Sequence, residues 1–177
     1  IDNYLIKAME EIGDRFEKQQ AFVPELLMAG RAMKASLSLL QPLLKGDEAT
    51  SQLGTIVIGT VKGDLHDIGK NLVGSMFEGC GFQVVDLGVD ADSDKFVTAV
   101  KEHGANLVGL SALLTTTMPY MKTIIEGLKA AGLRDKVKVM VGGAPVSSSF
   151  AEEIGADGYS DSANSAVIKA KELLGVA

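Results

Sequence analysis

The sequence predicts an α/β fold in which a parallel five-stranded sheet is covered by helices and preceded by a smaller helical unit. Short runs rich in Val, Ile and Leu alternate with amphipathic segments after Gly54, whereas the N-terminal part shows helical periodicity alone. A polar stretch without periodicity separates the two parts. With 177 residues, 46% of them hydrophobic, the chain can bury one full core and a small second unit.

The N-terminal part predicts two amphipathic helices. The stripe of the first consists of Leu5, Met9, Ile12 and Phe16. The stripe of the second consists of Leu26, Met33, Leu37, Leu40 and Leu44. Pro24 suits the first turn of this second helix, and Pro42 is expected to disturb its last turns. Because two helices alone bury too little surface to be stable, we expect them to pack on the main domain or on further helices.

The pattern predicts a helical unit over residues 1–45, a linker over residues 46–54 (GDEATSQLG) and an α/β domain over residues 55–177. The predicted strands are Thr55–Val61, Gln83–Leu87, Leu107–Ser111, Val137–Val141 and Gly158–Ser160. The predicted helices between and after them are Gly69–Gly79, Ser93–His103, Met118–Ala131, Ser147–Ile154 and Ser162–Leu174. Five such units match the flavodoxin-like (Rossmann-like) doubly wound fold, in which ligands bind beyond the carboxyl ends of the strands.

Three loops at that edge of the sheet carry the candidate chemistry: Gly63–Gly69, Ser111–Thr117 and Gly142–Pro145. The first contains His66, one of only two histidines, with Asp64 two residues before it. It lacks a Walker lysine and a hydroxyl-rich cradle, which argues against a phosphate or flavin site. Serines at positions 111 and 160 stand where a phospho-receiver domain would need an aspartate and a lysine.

Composition excludes several other classes. The net charge of −6 and the lack of a basic run argue against binding to nucleic acid. No apolar run is long enough to cross a membrane, and the single cysteine, Cys80, favours a reducing, cytoplasmic location. His103 is interpreted as a residue that complements a helix dipole, and the acidic cluster Asp90, Asp92 and Asp94 as a solvated helix start.

Taken together, the three loops resemble a known signature. The chain contains Asp64-x-His66-x-x-Gly69, then Ser111-Ala112-Leu113, then Gly142-Gly143. This order and spacing is similar to the DxHxxG, SxL, GG motifs of cobalamin-binding domains that hold the corrinoid with its own base detached and a protein histidine on cobalt. The N-terminal segment FEKQQAFVPELLMAGRAMK is similar to the cap of methyl-carrying corrinoid proteins and of the methionine synthase cobalamin module.

The resemblance implies a role for each motif residue. His66 would be the lower axial ligand of cobalt, Asp64 would hold its far ring nitrogen, and Thr117 would supply the hydroxyl of the same relay. Ser111 and the Gly142-Gly143 pair would line the cleft for the nucleotide tail. The further positions that match cofactor contacts are Gly63, Leu65, Asp67, Gly69, Leu113, Thr115 and Ala163.

The cap segment adds two implied contacts. Phe16 and Val23 match the apolar residues that cover the upper, methyl-bearing face of the corrin. The family cap is a four-helix bundle, so we expect this chain to hold about its second half and to lack the first helices. The cap would have to move to admit a partner, with residues 46–54 as the hinge.

By resemblance, the chain is a methyl carrier that depends on partners. It would shuttle a methyl group from a donor-specific methyltransferase to a second methyltransferase acting on a thiol or tetrahydrofolate, with a reductive activator as a further partner. His66 would bind and release cobalt during the cycle, coupled to protonation of the His66–Asp64 pair. Methanol, methylamines, methoxylated aromatics and betaines all remain open as donors.

Two alternatives share part of the signature. An adenosylcobalamin-dependent mutase subunit or domain would carry DxHxxG but would not need a methyl-protecting cap. A cobalamin-sensing regulatory module would need a DNA-binding domain before the cap. A fragment of methionine synthase would be accompanied by zinc and substrate modules, which this sequence does not contain.

Overall fold

The computed structural model describes residues 2–40 and 53–176. A π-helical turn, Asp2–Ile6, leads directly into the first helix. The helices are α1 (Lys7–Glu17), α2 (Val23–Leu40), α3 (Ile68–Gly79), α4 (Ser93–His103), α5 (Pro119–Ala130), α6 (Ser148–Ile154) and α7 (Ala163–Leu174), with a 3₁₀ turn at Arg134–Lys136. The strands are β1 (Thr55–Thr60), β2 (Gln83–Asp86), β3 (Leu107–Ser111), β4 (Lys138–Gly142) and β5 (Gly158–Tyr159).

The five strands form one parallel sheet in the order β2-β1-β3-β4-β5. This is the flavodoxin-like order, so the predicted fold class is confirmed. The bounds predicted for the strands and helices of the α/β domain differ from the observed ones by at most one residue, and they differ at all only because the ends of helices and strands carry a weaker pattern than their centres. The predicted linker and the end of the second predicted helix, with Pro42 and Leu44, lie largely outside the described residues.

Alternating side chains of the central strands fill two cores. Val57, Val108 and Val139 pack beneath α4, α5 and α6 on one face of the sheet. Ile56, Leu107 and Met140 face α3 and α7 on the other. The three central strands are buried on both faces, which explains why they appear in the sequence as nearly continuous apolar runs.

Helices α1 and α2, called the cap helices below, pack on the outer side of α3 and α7. Met9, Leu26 and Met33 extend the second core outward from Met76 and Phe77 of α3. The approach is close, since a Cβ atom at Gly79 would lie 2.6 Å from the Met9 methyl group. The expectation that the N-terminal helices pack on the main domain is therefore confirmed.

Candidate functional site

The sheet register brings the three candidate loops together. Thr60, Ser111 and Gly142 are direct neighbours at the carboxyl ends of β1, β3 and β4. The loops that follow them therefore leave the same edge of the sheet side by side, as the sequence predicts.

A buried carboxylate organises the first of these loops. Asp64 is fully buried, and its Oδ1 lies 2.6 Å from Nδ1 of His66 and accepts the His66 backbone N–H at 3.1 Å. Its Oδ2 accepts the Thr117 hydroxyl at 2.7 Å and the N–H groups of Leu113 and Leu114 at 2.8 and 3.2 Å. Asp64 thus ties the histidine loop to the loop after β3.

These donors fix the charge of Asp64. Burial alone would raise the pKa of the carboxyl group, but the hydrogen bonds from His66, Leu113 and Thr117 outweigh burial and hold this pKa well below its usual range. The carboxylate is therefore ionised at neutral pH and keeps a proton on Nδ1 of the imidazole. Nε2 is left as the ring nitrogen that can bind a metal.

The His66 side chain is presented outward from this buried support, with 51% of its surface exposed. The Thr60 hydroxyl donates to the His66 carbonyl oxygen at 2.9 Å, which holds the backbone below the ring. Four apolar side chains of the two loops and of the first residue of α3 are exposed near His66: Leu65 (72%), Ile68 (86%), Leu113 (44%) and Leu114 (41%). An imidazole standing in an apolar, open surface suits a large planar group with a metal at its centre.

A cavity of about 690 Å³ runs from His66 into the α/β domain, between the sheet and helices α3 and α7. Gly109, Ser111, Gly142 and Gly143 line its sheet side. Gly143 has φ +129°, and a Cβ atom there would collide with the Ala112 carbonyl oxygen. The cavity lies within the usual size range of ligand pockets, so it can hold an elongated tail.

Most of the predicted contact residues line this cavity: Phe16, Leu65, His66, Asp67, Gly69, Ser111, Leu113, Gly142, Gly143 and Ala163. Gly63, Thr115 and Val23 are not among the lining residues. Asp64 and Thr117 are buried behind His66, where a relay to the imidazole would place them. Val23 begins α2 and is 42% exposed, so in this arrangement of the cap Phe16 alone of the two cap residues reaches the cavity.

The sequence interpretation missed several residues of the site. Nothing in the sequence indicated that Thr60 belongs to the site, apart from its position at the end of a strand. Lys70, buried in the first turn of α3, pairs with Asp86 at 2.6 Å. Asp92 caps α4 by accepting the Lys95 N–H at 3.0 Å, but the same interpretation is wrong for Asp90, whose carboxylate binds the Gly63 N–H at 2.8 Å.

The metal-binding side chains of the described residues fit a metal ion that is already held in the ring of a cofactor. Within residues 2–40 and 53–176, no group of three or more His, Cys, Asp or Glu side chains is placed to hold a metal ion. His66 offers a single imidazole, which suits a cobalt ion whose equatorial ligands come from a corrin.

Within residues 2–40 and 53–176, none of the helices combines the length and apolar character needed to span a bilayer.

The sequence matches two family models, each described as a B12 binding domain, over residues 54–168 and 1–41. The chain belongs to the B12-binding domain family. Its cofactor is therefore a corrinoid.

The relatives of this family member are corrinoid proteins. Dimethylamine corrinoid protein 3 of Methanosarcina mazei is 50% identical over 166 residues, which cover 94% of this chain and 99% of that protein. The monomethylamine corrinoid protein of Methanosarcina barkeri has a solved structure with 39% identity and a TM-score of 0.64, over 96% of this chain and 78% of that one. The methanol:cobalamin methyltransferase complex of the same organism matches with 28% identity and a TM-score of 0.83, over 99% of this chain and 67% of that one.

Proposed function

We propose that this chain is the methyl carrier of a methyltransferase system whose donor is a methylamine. The hydrogen-bonded Asp64–His66 pair at the mouth of the tail cavity carries the proposal. Relatives named dimethylamine and trimethylamine corrinoid proteins, at 50% and 48% identity, favour the amine as the donor class. The bound corrinoid would supply a cobalt ion able to accept a methyl group and give it up again.

In this proposal His66 would hold the cobalt ion through Nε2 as the lower ligand, with the corrinoid's own base detached. Asp64 would keep the proton on Nδ1 and orient the ring, which leaves Nε2 free to bind the metal. Thr117 donates to the same carboxylate and so keeps Asp64 in place when the imidazole moves.

The remaining residues bind and shield the cofactor. Ser111, Gly142 and Gly143 would receive the nucleotide tail in the cavity, and Phe16 would reach the cofactor from the cap. Two methyltransferases, one for the donor and one for a thiol or tetrahydrofolate acceptor, would approach the other face of the corrin. The cap would have to shift for each of them, since helix α1 borders the cavity through Phe16.

The ligand assignment is tested by replacing each histidine in turn. His103 is exposed at the end of α4 and serves as the matched control for His66. After reconstitution with cobalamin, we expect His66→Ala to shift the visible spectrum toward that of cobalamin without an axial nitrogen, and His103→Ala to match the wild type. An unchanged spectrum for His66→Ala would overturn the ligand assignment, and failure of the wild type to bind any corrinoid would overturn the whole proposal.

The donor class is tested with the reduced, cobalamin-bound chain and separate donor methyltransferases. We expect a spectral change that reports methylation with a methylamine methyltransferase and its amine, and none with a methanol methyltransferase and methanol. The opposite pattern would show that the carrier works with another donor, while leaving the role of His66 intact.

A further inference from the structure

We propose that Asp90 is a positioning residue that holds the histidine loop from the side opposite Thr117 and so strengthens ligation of cobalt by His66. This inference rests on the proposed function, because it takes His66 as the metal ligand. It concerns the backbone of the loop, whereas the Asp64 carboxylate, held by Thr117, acts on the imidazole ring.

Asp90 makes two hydrogen bonds to the start of the loop. Its Oδ1 accepts the Gly63 N–H at 2.8 Å, and its own N–H donates to the Asp64 carbonyl oxygen at 3.1 Å. The two bonds hold the backbone on either side of the peptide that joins Gly63 to Asp64. Asp64 is the residue whose carboxylate orients the imidazole. Because the carboxylate is charged, the first bond is of the stronger kind.

The backbone of Asp90 is adapted to this contact. It has φ +52°, a left-handed conformation that Asp, Asn and Gly adopt more readily than other residues. Asp92, two residues later, has extended dihedral angles and caps α4. The two aspartates therefore have different tasks, although they look equivalent in the sequence.

The segment around Asp90 also contacts the end of β1. The Ala91 N–H donates to the Thr60 carbonyl oxygen at 3.0 Å, and the Thr60 N–H donates to the Gly88 carbonyl oxygen at 3.0 Å. Thr60 in turn donates its hydroxyl to the His66 carbonyl oxygen. The start of the histidine loop is thus bound to Asp90 directly, at Gly63 and Asp64, and to residues 88 and 91 through Thr60.

The far end of the loop is bound to the same segment through Lys70. The Lys70 ammonium group donates to both carboxylate oxygens of Asp86, at 2.7 and 2.6 Å, and Asp86 also accepts the Gly88 N–H at 2.8 Å. Residues 86–91 therefore hold both ends of the loop. With both ends fixed, the His66 side chain could bind a cobalt ion or release it while the loop backbone stays in place, so that little of the free energy of ligation would be needed to order the loop.

Three substitutions separate the contact from the charge and the backbone conformation. Asp90→Asn keeps an oxygen acceptor and removes the charge, while Asp90→Gly keeps the left-handed conformation and removes the acceptor. Asp94→Ala removes a neighbouring carboxylate that makes no hydrogen bond to this loop among the described residues, and is the control. In the cofactor-free chain, we expect Asp90→Gly to raise amide exchange at Gly63 about tenfold and Asp90→Asn to stay closer to the wild type.

Ligation itself is measured by titrating the cobalamin-bound chain with cyanide, which displaces the axial nitrogen, and following the visible spectrum. We expect Asp90→Gly to lower the cyanide concentration at the midpoint about fivefold. This factor corresponds to the free energy of ordering about one more residue when His66 binds cobalt. Asp90→Asn should recover most of this loss, and Asp94→Ala should titrate as the wild type does.

The outcomes keep the two proposals distinct. His66→Ala should lack the displacement transition, and a wild-type titration in that variant would contradict the ligand assignment. If His66→Ala behaves as expected but Asp90→Gly matches the wild type in the cyanide midpoint, Asp90 has no positioning role. A change in amide exchange without a change in the midpoint would also overturn the proposal, because the contact would then be structural alone.

Discussion

Two buried lysines show how differently the two parts of this molecule are held together. Lys70 and Lys171 expose only 3% and 9% of their surfaces. Each pairs with a carboxylate that is about half exposed: Asp86 (45%) at 2.6 Å for Lys70, and Glu10 (50%) at 2.8 Å for Lys171. The local chemistry is nearly the same in the two pairs.

The difference lies in which elements each pair joins. Lys70 and Asp86 both belong to the α/β domain, so the ammonium group can reach water only if the domain itself opens. Lys171 lies on α7 and Glu10 on α1, so water can replace the pair when the cap helix moves away. A neighbouring contact, from the Ser162 hydroxyl to Glu17 at 2.7 Å, is equally replaceable by water.

This difference indicates that the histidine loop stays fixed to the α/β domain, whereas the cap helices can separate from it. Opening the loop would break the hydrogen bonds to Asp64, which is fully buried, and would leave its carboxylate without donors. Lifting α1 from α7 would expose the polar groups of the Glu10 and Glu17 contacts, which water can solvate, together with apolar side chains such as Met9. The apolar contact of Met9, Leu26 and Met33 with α3 is then the main attraction that holds the cap in place.

The largest expected effect comes from breaking the pair inside the domain. Asp86→Ala leaves the Lys70 ammonium group buried with Asn71 as its remaining oxygen acceptor. We expect the free energy of unfolding to fall by about 2 to 3 kcal/mol, somewhat less than for a fully buried pair because Asp86 is partly exposed. Denaturant unfolding of the cofactor-free chain measures this change.

A double substitution provides the control for that prediction. Replacing Lys70 by Met together with Asp86→Ala removes the stranded charge, so much of the lost stability should return. If Asp86→Ala alone cost less than about 0.5 kcal/mol, the pair would behave like an ordinary surface salt bridge, and the contrast with Lys171 would disappear.

The fold was predictable because its signals are local in the chain. Parallel strands that are buried on both faces leave apolar runs, and the helices between them leave a periodic stripe. The order of the elements then fixes which loops meet at the carboxyl edge. Asp64 and His66 were recognisable for the same reason, since only one residue lies between them and their motif continues to Gly69.

The contacts that support the site were not predictable from the sequence in the same way. Asp90 lies 27 residues from Gly63, and Lys70 lies 16 residues from Asp86. An aspartate before a helix is equally typical of a cap, as Asp92 shows, so only the tertiary structure separates the two roles. Val23 illustrates a second cause, because its distance from the cavity depends on how the cap is docked.

A smaller effect is expected from breaking the pair between the cap and the domain. Glu10→Ala should lower the free energy of unfolding by at most about 1 kcal/mol, since Lys171 can regain water when α1 moves. The change should appear instead as easier separation of the cap. Cys80 can report it, because this buried thiol belongs to the same apolar cluster as Met9 and Leu26.

The pH dependence of Cys80 labelling separates cap opening from a direct electrostatic effect. Burial raises the pKa of the Cys80 thiol to about 11, Lys171 opposes this rise and Glu10 adds to it, so at pH 8 only about one thiol in a thousand is ionised while the cap is docked. Labelling of the docked thiol should therefore become about tenfold faster for each pH unit up to that value. If Glu10→Ala acted only on the thiol, its profile would shift along the pH axis and would meet the wild type at high pH.

If instead α1 separates more often, the labelling rate should be higher at every pH, including pH values near 11. Glu11→Ala is the matched control, because Glu11 lies on the same helix but pairs with Arg15 on the surface. Equal labelling of Glu10→Ala and Glu11→Ala would mean that the Lys171 pair does not hold the cap. A loss of stability as large as that of Asp86→Ala would mean that α1 is as integral to the domain as β2, and that the cap does not separate on its own.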